Sequence, residues 1–407
     1  MYRINIIRRL LSYLNRKILG PVVKIIFLQS RLSEKYRILD TNSSAIGHLC
    51  ADIDCFLMER SMKKLKFRGI LLAPRRRTAN NVIVEIWADQ PGLCVVQNRL
   101  LCYALDYLRT YNETGFDCTK YCAVDGKPAE AYRIYKSIAE DTPLVSFRQS
   151  QNFEGKKLFE TIFSNLDPTR IVVLHSRDSV YDKSNGNKNY CTQNYRNGDI
   201  ESFVEILDYL RKRGYSVIRI GEYEKTTKNT KWPLLELPRL THEEEELINV
   251  YLASICALFL GSASGASQLA VIWRRPVFLI NVLPYSLLRP HISKSMAIPK
   301  LLSIGDRTLS VKEIFTNGYH WYRDDISYVN NDIQIKSNAS NDCLADFDEF
   351  FKAYVEYNYE LRSELKNDIM QIKYRETCAS DSYDYMATSL VPRHFFTKHN
   401  LINIGSK

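Results

Sequence analysis

The sequence predicts an α/β protein of two Rossmann-like domains facing across a cleft, with an N-terminal amphipathic helix and a C-terminal helical segment. Three observations carry that prediction. The chain has 407 residues, enough for two hydrophobic cores, because single cores stop growing well before that length. From Pro168 onward, apolar runs of strand length alternate with amphipathic helical runs over short connections. That is the pattern of right-handed crossovers onto a parallel sheet. Polar residues able to do chemistry collect where those strands end. The boundaries are placed at 1–34 for a basic helical segment, 35–165 for the first α/β domain, 166–336 for the second, and 337–407 for C-terminal helices packing across the domains.

The first segment holds most of the net charge. Of the formal +10, residues 1–37 contribute nine Lys or Arg against a single acid, Glu34. The remaining body is close to neutral, which excludes a general nucleic-acid binder, whose basic stripe lies on the fold itself. On a helical wheel Ile4, Ile7, Leu11, Leu14 and Ile18 share one face, with Arg8, Arg9, Arg16 and Lys17 elsewhere. Residues 1–28 therefore fit an anionic membrane surface, and equally a helix packed on its own domain. Charges interrupt every apolar run before the roughly 20 residues that a spanning helix needs. With no secretory cleavage pattern either, the expected location is cytoplasmic, peripheral on the inner membrane. Ten scattered cysteines without a CxxC or zinc-finger spacing read as structural thiols of a reducing compartment.

In the first domain "KYRILD" (35–40) is a strand, and "TNSSAIGHL" a polar turn into a helix reaching about Met62. "RGILLAP" (68–74) is a second strand, and 95–110 a helix. In the second domain "TRIVVLHS" is a strand, followed by a helix from an Asp199 cap to a Gly214 stop. Then come strand "YSVIRIG", helix "EEEELINVYLAS", strand "CALFLG", helix "SGASQLAVIWR" and strand "PVFLIN". A long helix, "DFDEFFKAYVEYNYELRSELKNDI", and a docked apolar tail close the chain.

Ligands of open α/β sheets bind beyond the carboxyl ends of the strands, which singles out three groups. His175, Arg177 and Asp178 follow one strand, Gly221 the next, and Ser262, Ser264 and Gly265 the third. The last group opens a helix, where backbone N–H groups and hydroxyls suit a phosphate; it also reads as a plain Ser-capped helix. The Arg177 guanidinium suits bidentate phosphate binding, or an ion pair with Asp178. Tyr195, Arg196 and Asn197 precede the Asp199 helix and either clamp the same ligand or cap that helix. Arg219 is out of place in an otherwise buried strand and should meet a partner charge. In the first domain, Gly47 and His48 stand at a helix start, facing the cleft from the opposite side; the resemblance given below makes that the acceptor side. His48 and Asp52 are the candidates for a catalytic base. Asp52 and Asp54 resemble a DxD metal motif, but i and i+2 residues diverge on a helix, so no metal is expected.

"IGHL" (46–49), "LHSRDSVY" (174–181), "YRNGDIESFVEILDYLRKRGYSVIRIG" (195–221) and "CALFLGSASGASQLAVIWRRPVFLIN" (256–281), in that order, resemble the glycosyltransferases of bacterial surface-polysaccharide gene clusters. The resemblance covers roughly residues 35–290. Gly198 stands where Ala is usual, Gln193-Asn194 where a His-Ser pair is, and Ile220 where Met is common. The resemblance implies a GT-B-like enzyme, distantly similar to fucosyltransferases, in which the HxR arginine binds the donor diphosphate. It places that role on Arg177, with Ser262, Ser264 and Gly265, and implies transfer from a nucleotide-sugar donor to a glycan or lipid-linked acceptor. It also implies no cofactor or metal, the nucleotide-sugar being a substrate. Two rival readings are a nucleotide-sugar epimerase using the same cleft and a non-catalytic scaffold of a polysaccharide assembly complex.

Overall fold

The computed structural model describes residues 13, 15–62, 64–121, 134, 142–177, 193–221, 234–288, 292–378 and 388–403. The described residues fall into two compact units, one within Met1–Cys122 and Leu144–Gln149, the other within Ala123–Pro143 and Ser150–Lys407. Each is an α/β unit built on a parallel sheet.

In the first unit a π-helical turn, Asn15–Leu19, leads into α1 (Gly20–Gln29). Strands β1 (Tyr36–Asp40), β2 (Arg68–Leu72), β3 (Leu93–Val96) and β4 (Gly115–Asp117) form a sheet of order β3-β2-β1-β4. Every pairing is parallel, so all four carboxyl ends share one edge. Helix α2 (Ile46–Ser61) follows β1, α3 (Asn81–Ala88) follows β2 and α4 (Arg99–Asp106) follows β3. The helix read over 95–110 is corrected at both ends. The β-branched pair Val95-Val96 extends β3, and the Asn98 side chain starts the helix by accepting from the amides of Leu100 and Leu101, both at 3.0 Å. A 3-10 turn, Tyr107–Thr110, ends it.

Helix α1 packs on this unit through Phe27, buried with Ile38 and Leu108. Gly20 lets its backbone lie against the Tyr107 ring, where a Cβ would come within 2.3 Å. Its other face leaves Val22, Ile25 and Ile26 exposed. Ile4, Ile7, Arg8, Arg9, Leu11 and Leu14 lie outside the described residues. Among the described helices none is long and apolar enough to cross a membrane.

The second unit begins with α5 (Gln149–Ile162), whose Phe159 ring packs 6.2 Å from that of Tyr251. Strands β5 (Ile171–His175), β6 (Ser216–Arg219), β7 (Leu234–Glu236), β8 (Leu258–Gly261), β9 (Val277–Val282) and β10 (Ser295–Pro299) form a parallel sheet of order β10-β9-β8-β5-β6-β7. Helices α6 (Val204–Lys212), α7 (His242–Ile255) and α8 (Ser267–Ile272) connect them. The stops and starts follow local chemistry. Asp199 caps a 3-10 turn leading into α6, Gly214 leaves it at φ +76°, and Thr241 with Glu244 forms a capping box on α7. Beyond β10 lie β11 (Leu301–Ile304), β12 (Arg307–Thr308), α9 (Val311–Thr316), α10 (Asp325–Val329) and β13 (Ile333–Lys336). The three strands make an antiparallel sheet of order β12-β11-β13.

The single long helix expected near the C-terminus is three helices: α11 (Leu344–Tyr354), α12 (Tyr359–Asn367) and α13 (Ile369–Thr377). Tyr357 at φ +58° breaks the first from the second. The side chains of Asn358 and Asp368 then cap the starts of α12 and α13. Helix α14 (Arg393–Lys398) is docked as expected, with Phe395 and Phe396 buried. Buried Asp346 accepts the amides of His394 and Phe395 at 3.0 and 2.8 Å, and Arg393 pairs with Glu349, Glu364 and Asp368.

Candidate functional site

Chain segments that follow different strands of the second sheet are laced together by backbone bonds at its carboxyl edge. The Ser262 amide donates to the His175 carbonyl at 3.1 Å, and the Ser262 hydroxyl accepts from the Arg177 amide at 2.8 Å. The Gly198 amide donates to the Arg177 carbonyl at 2.9 Å. Glycine is required where these segments close up. A Cβ on Gly198 would come within 2.9 Å of Ser262 Cβ, and one on Gly261 within 2.7 Å of the His175 carbonyl oxygen. Gly221, at φ +88°, lies against the His175 ring in the same way.

Arg177 thus stands beside the 262–265 turn, as the sequence reading required. Its guanidinium donates to Gln193 Oε1 at 3.3 Å. Arg196 donates to the same oxygen at 3.3 Å and to the Ala263 carbonyl at 3.2 Å. Two guanidinium charges therefore gather on one neutral amide oxygen at the turn. Ser264 accepts from the Ala266 amide at 3.2 Å, while its carbonyl accepts from the Ser267 hydroxyl at 3.0 Å. Gly265 completes that turn, and α8 behind it has six residues, shorter than its sequence pattern reads. Ser262 is buried with its hydroxyl on the Arg177 amide, so it fixes where the arginine emerges. Arg219 is buried on β6, in register with Leu174 and Glu236 of the flanking strands. Asp178 lies outside the described residues.

The Tyr195-Arg196-Asn197 turn is fastened by residues that the sequence reading did not single out. Asp325, at the start of α10, accepts the amides of Asn194 and Tyr195 at 2.9 and 2.8 Å. Lys300, 4 % exposed between β10 and β11, donates to the Asn197 carbonyl at 2.7 Å. Burial holds the Lys300 ammonium down at about 8, against a partial upward pull from Asp325. The Tyr195 phenol is raised by burial and drawn back by the charges of Arg196, Arg323 and Arg177, which identifies Arg323 as a third cation of this region. No local pattern announces Asp325 or Lys300, which stand 131 and 103 positions from the residues they hold.

The first unit carries its own polar group where β1 ends. His48 Nδ1 lies 3.1 Å from Asp52 Oδ2, and the Thr41 hydroxyl donates to the same oxygen at 2.8 Å. The spacing i, i+4 on α2 puts the two side chains on one face. The carboxylate is buried, with its side chain 3 % exposed, whereas the imidazole is 47 % exposed. The hydrogen bond to Asp52 raises the His48 pKa above 6.5, with burial working against it. Gly47 precedes His48 in the first turn of α2, whereas Asp54 is buried on another face, as helical geometry predicts. Among the described residues no three His, Cys, Asp or Glu side chains gather as a metal site would require. A depression of about 630 Å³ lined by Leu65, Lys66 and Gln90–Gly92 sits at the amino ends of β2 and β3, opposite to this edge.

No protein-family profile matches the chain, and no curated protein matches it. Among solved structures it is similar to the iron-containing dodecameric glycosyltransferase TibC of enterotoxigenic E. coli H10407. That similarity has 17 % identity and a TM-score of 0.36, over 62 % of this chain and 59 % of that one. The match thus spans less than two thirds of TibC. The chain is also similar to the family 9 glycosyl transferase of Veillonella parvula DSM 2008 (8 % identity, TM-score 0.43, 65 % of this chain and 85 % of that one). A third is E. coli ADP-heptose lps heptosyltransferase II (12 % identity, TM-score 0.40, 66 % and 90 %).

Proposed function

We propose that the protein is a glycosyltransferase that moves a sugar from a nucleoside-diphosphate donor to a hydroxyl of a glycan or lipid-linked acceptor, in the synthesis of a bacterial surface polysaccharide. The observation that carries the reading is the convergence of Arg177 and Arg196 on Gln193 beside the Ala263 carbonyl, with the Arg177 backbone fixed by Ser262. Paired guanidinium groups on fixed backbone suit the departing diphosphate, whose negative charge grows as the sugar–oxygen bond breaks. The motif order of the sequence supports the same assignment.

His48 is the proposed base. A carboxylate on Nδ1 selects the tautomer whose basic lone pair is on Nε2. Nε2 takes the acceptor hydroxyl proton as that oxygen bonds to the anomeric carbon, and the nucleoside diphosphate leaves with the bonding electron pair. Asp52 stabilises the imidazolium that results. Transfer of this kind inverts the anomeric centre. The exposed Val22, Ile25 and Ile26, with exposed Lys17 and Arg31 nearby, support peripheral attachment to an anionic membrane through the N-terminal segment.

Thermal unfolding of the protein with ADP, GDP, UDP and CDP tests the donor site. One diphosphate should raise stability by about 3 kcal/mol at a hundredfold excess over its dissociation constant, and Arg177→Ala should lose that shift. Equal stabilisation of Arg177→Ala, or none of the wild type by any diphosphate, would refute the donor assignment. Sugar conversion in the absence of any acceptor would instead identify an epimerase.

A further inference from the structure

Three consecutive arginines, Arg75, Arg76 and Arg77, follow β2 at the edge that carries His48, and all three are exposed. Among the described residues no carboxylate pairs with any of them. Their loop is nonetheless fixed in place. The Arg75 amide donates to the Gln97 carbonyl at 3.2 Å, the Arg77 amide to the Pro74 carbonyl at 3.0 Å, and the Ala79 amide to the Ser43 carbonyl at 2.9 Å. Ser43 is itself tied to the Leu72 carbonyl at 2.9 Å and lies in the β1–α2 connection, between Thr41 and His48. Arg76 is held at φ +64°, a conformation that L side chains rarely adopt.

The same bonds bring the arginine loop beside the start of α4. There Leu100 is 82 % and Leu101 49 % exposed, immediately after the Asn98 cap. Helix α1, packed against α4, adds exposed Ile25 and Ile26 to the surface of this unit. Exposed guanidinium groups next to exposed leucines complement a molecule that is anionic at one end and hydrocarbon at the other. Arginine supplies the planar donor fork that phosphate oxygens accept, and burying hydrocarbon on the leucines adds affinity that a free anion lacks.

We propose that this edge binds a phosphate-bearing lipid, with Arg75, Arg76 and Arg77 on the phosphate and Leu100 and Leu101 under the chain. The proposal rests on the reading of the His48 edge as the acceptor side and names the acceptor's class: a sugar carried on a lipid phosphate, its hydroxyl presented to His48.

The full-length protein is titrated with dodecyl phosphate below its micelle threshold, with inorganic phosphate, and with neutral dodecyl maltoside, by calorimetry. Dodecyl phosphate should bind at least about tenfold tighter than either other probe, because only it engages both features. R75Q/R76Q/R77Q should lose about tenfold or more, and L100S/L101S several-fold. R75Q/R77Q leaves the strained Arg76 untouched and should lose most of the same affinity, which keeps the test decisive should the triple variant misfold. Arg177→Ala should bind dodecyl phosphate as the wild type does. Wild-type affinity in R75Q/R77Q overturns the proposal, and so does inorganic phosphate binding as tightly as dodecyl phosphate. The nucleotide shifts of Arg177→Ala are read separately, so a failed donor assignment and a failed lipid site give different results.

Discussion

The two parallel sheets present opposite kinds of edge. In the second unit, the turn at 194–197 is held by Asp325, Lys300 and the Ala263 carbonyl, and Arg177 emerges from backbone fixed by Ser262. Tyr195, Ser262, Ala263 and Lys300 are buried there, and Arg177, Arg196, Asn197 and Asp325 are half-buried. In the first unit, Thr41, His48 and Asp52 bond within a dozen residues of one another, and the imidazole and the Arg75–Arg77 side chains face solvent. In the proposed donor role, the arrangement of the second unit would hold its charges in place before a diphosphate arrives. That of the first unit leaves His48 and the three arginines open to solvent, as the proposed acceptor would need. Preorganisation reduces the cost of binding a small polar ligand, whereas a large acceptor needs an accessible edge.

The sharpest way to break this contrast is through His48. His48→Gln keeps a polar side chain and removes the proposed base, and turnover should fall by about 10²- to 10⁴-fold with nucleotide affinity unchanged. In the wild type, kcat/KM should rise with pH through a value above 6.5, because the hydrogen bond from the ring to Asp52 favours the protonated form and the proposed base acts only after losing that proton. Asp52→Asn should move this limb to lower pH while reducing the rate. A profile that ignores Asp52 would make the pair a structural contact.

A smaller effect is expected at Asp325. Asp325→Asn removes the charge from a group accepting two backbone amides, each such bond being worth about 1.5–3 kcal/mol. Nucleotide affinity should fall about tenfold or more by calorimetry, and binding of dodecyl phosphate should stay as it is. Loss of both would show that the two edges are not separately organised.

How much of this was legible in the sequence follows from the range of the interactions. β5, β8 and β9 are continuous apolar runs closed by turns, so the second sheet reads directly from the chain. Arg177 and Ser262 are 85 positions apart, yet the rule that ligands gather at strand ends finds both. His48 and Asp52 are found by helical spacing. The helix boundaries misread at 95–110 and 346–369 turn on single polar caps, Asn98, Asn358 and Asp368, which look like ordinary surface residues until their side chains meet the backbone. Asp325 and Lys300 lie outside every local pattern, because the fold alone brings them to the turn they hold. The close approach of Gly198 to Ser262, where a Cβ would come within 2.9 Å, is likewise a tertiary contact that no local pattern signals.

Lys300 should give the smallest effect and the most specific one. Its ammonium is buried, with a pKa of about 8 against 10.5 in the unfolded chain. Between those two pH values the unfolded chain keeps the proton that the folded protein has released, so this group makes stability rise as pH climbs from 8 to 10.5. Its contribution is lost again as pH falls through 8. Lys300→Met removes the titration and fills similar volume with an apolar chain. The difference in unfolding free energy between wild type and variant should therefore drift toward the wild type over that interval. Near pH 7 the variant sheds a buried charge but leaves the Asn197 carbonyl without its donor, two changes that oppose each other and leave stability within about 2 kcal/mol. Nucleotide affinity, which the proposed donor site ties to the Arg196 turn, should still fall several-fold. A structural lysine would change stability without touching affinity; a positioning lysine changes affinity while stability at pH 7 barely moves, and that split is what separates the fastened edge from the open one.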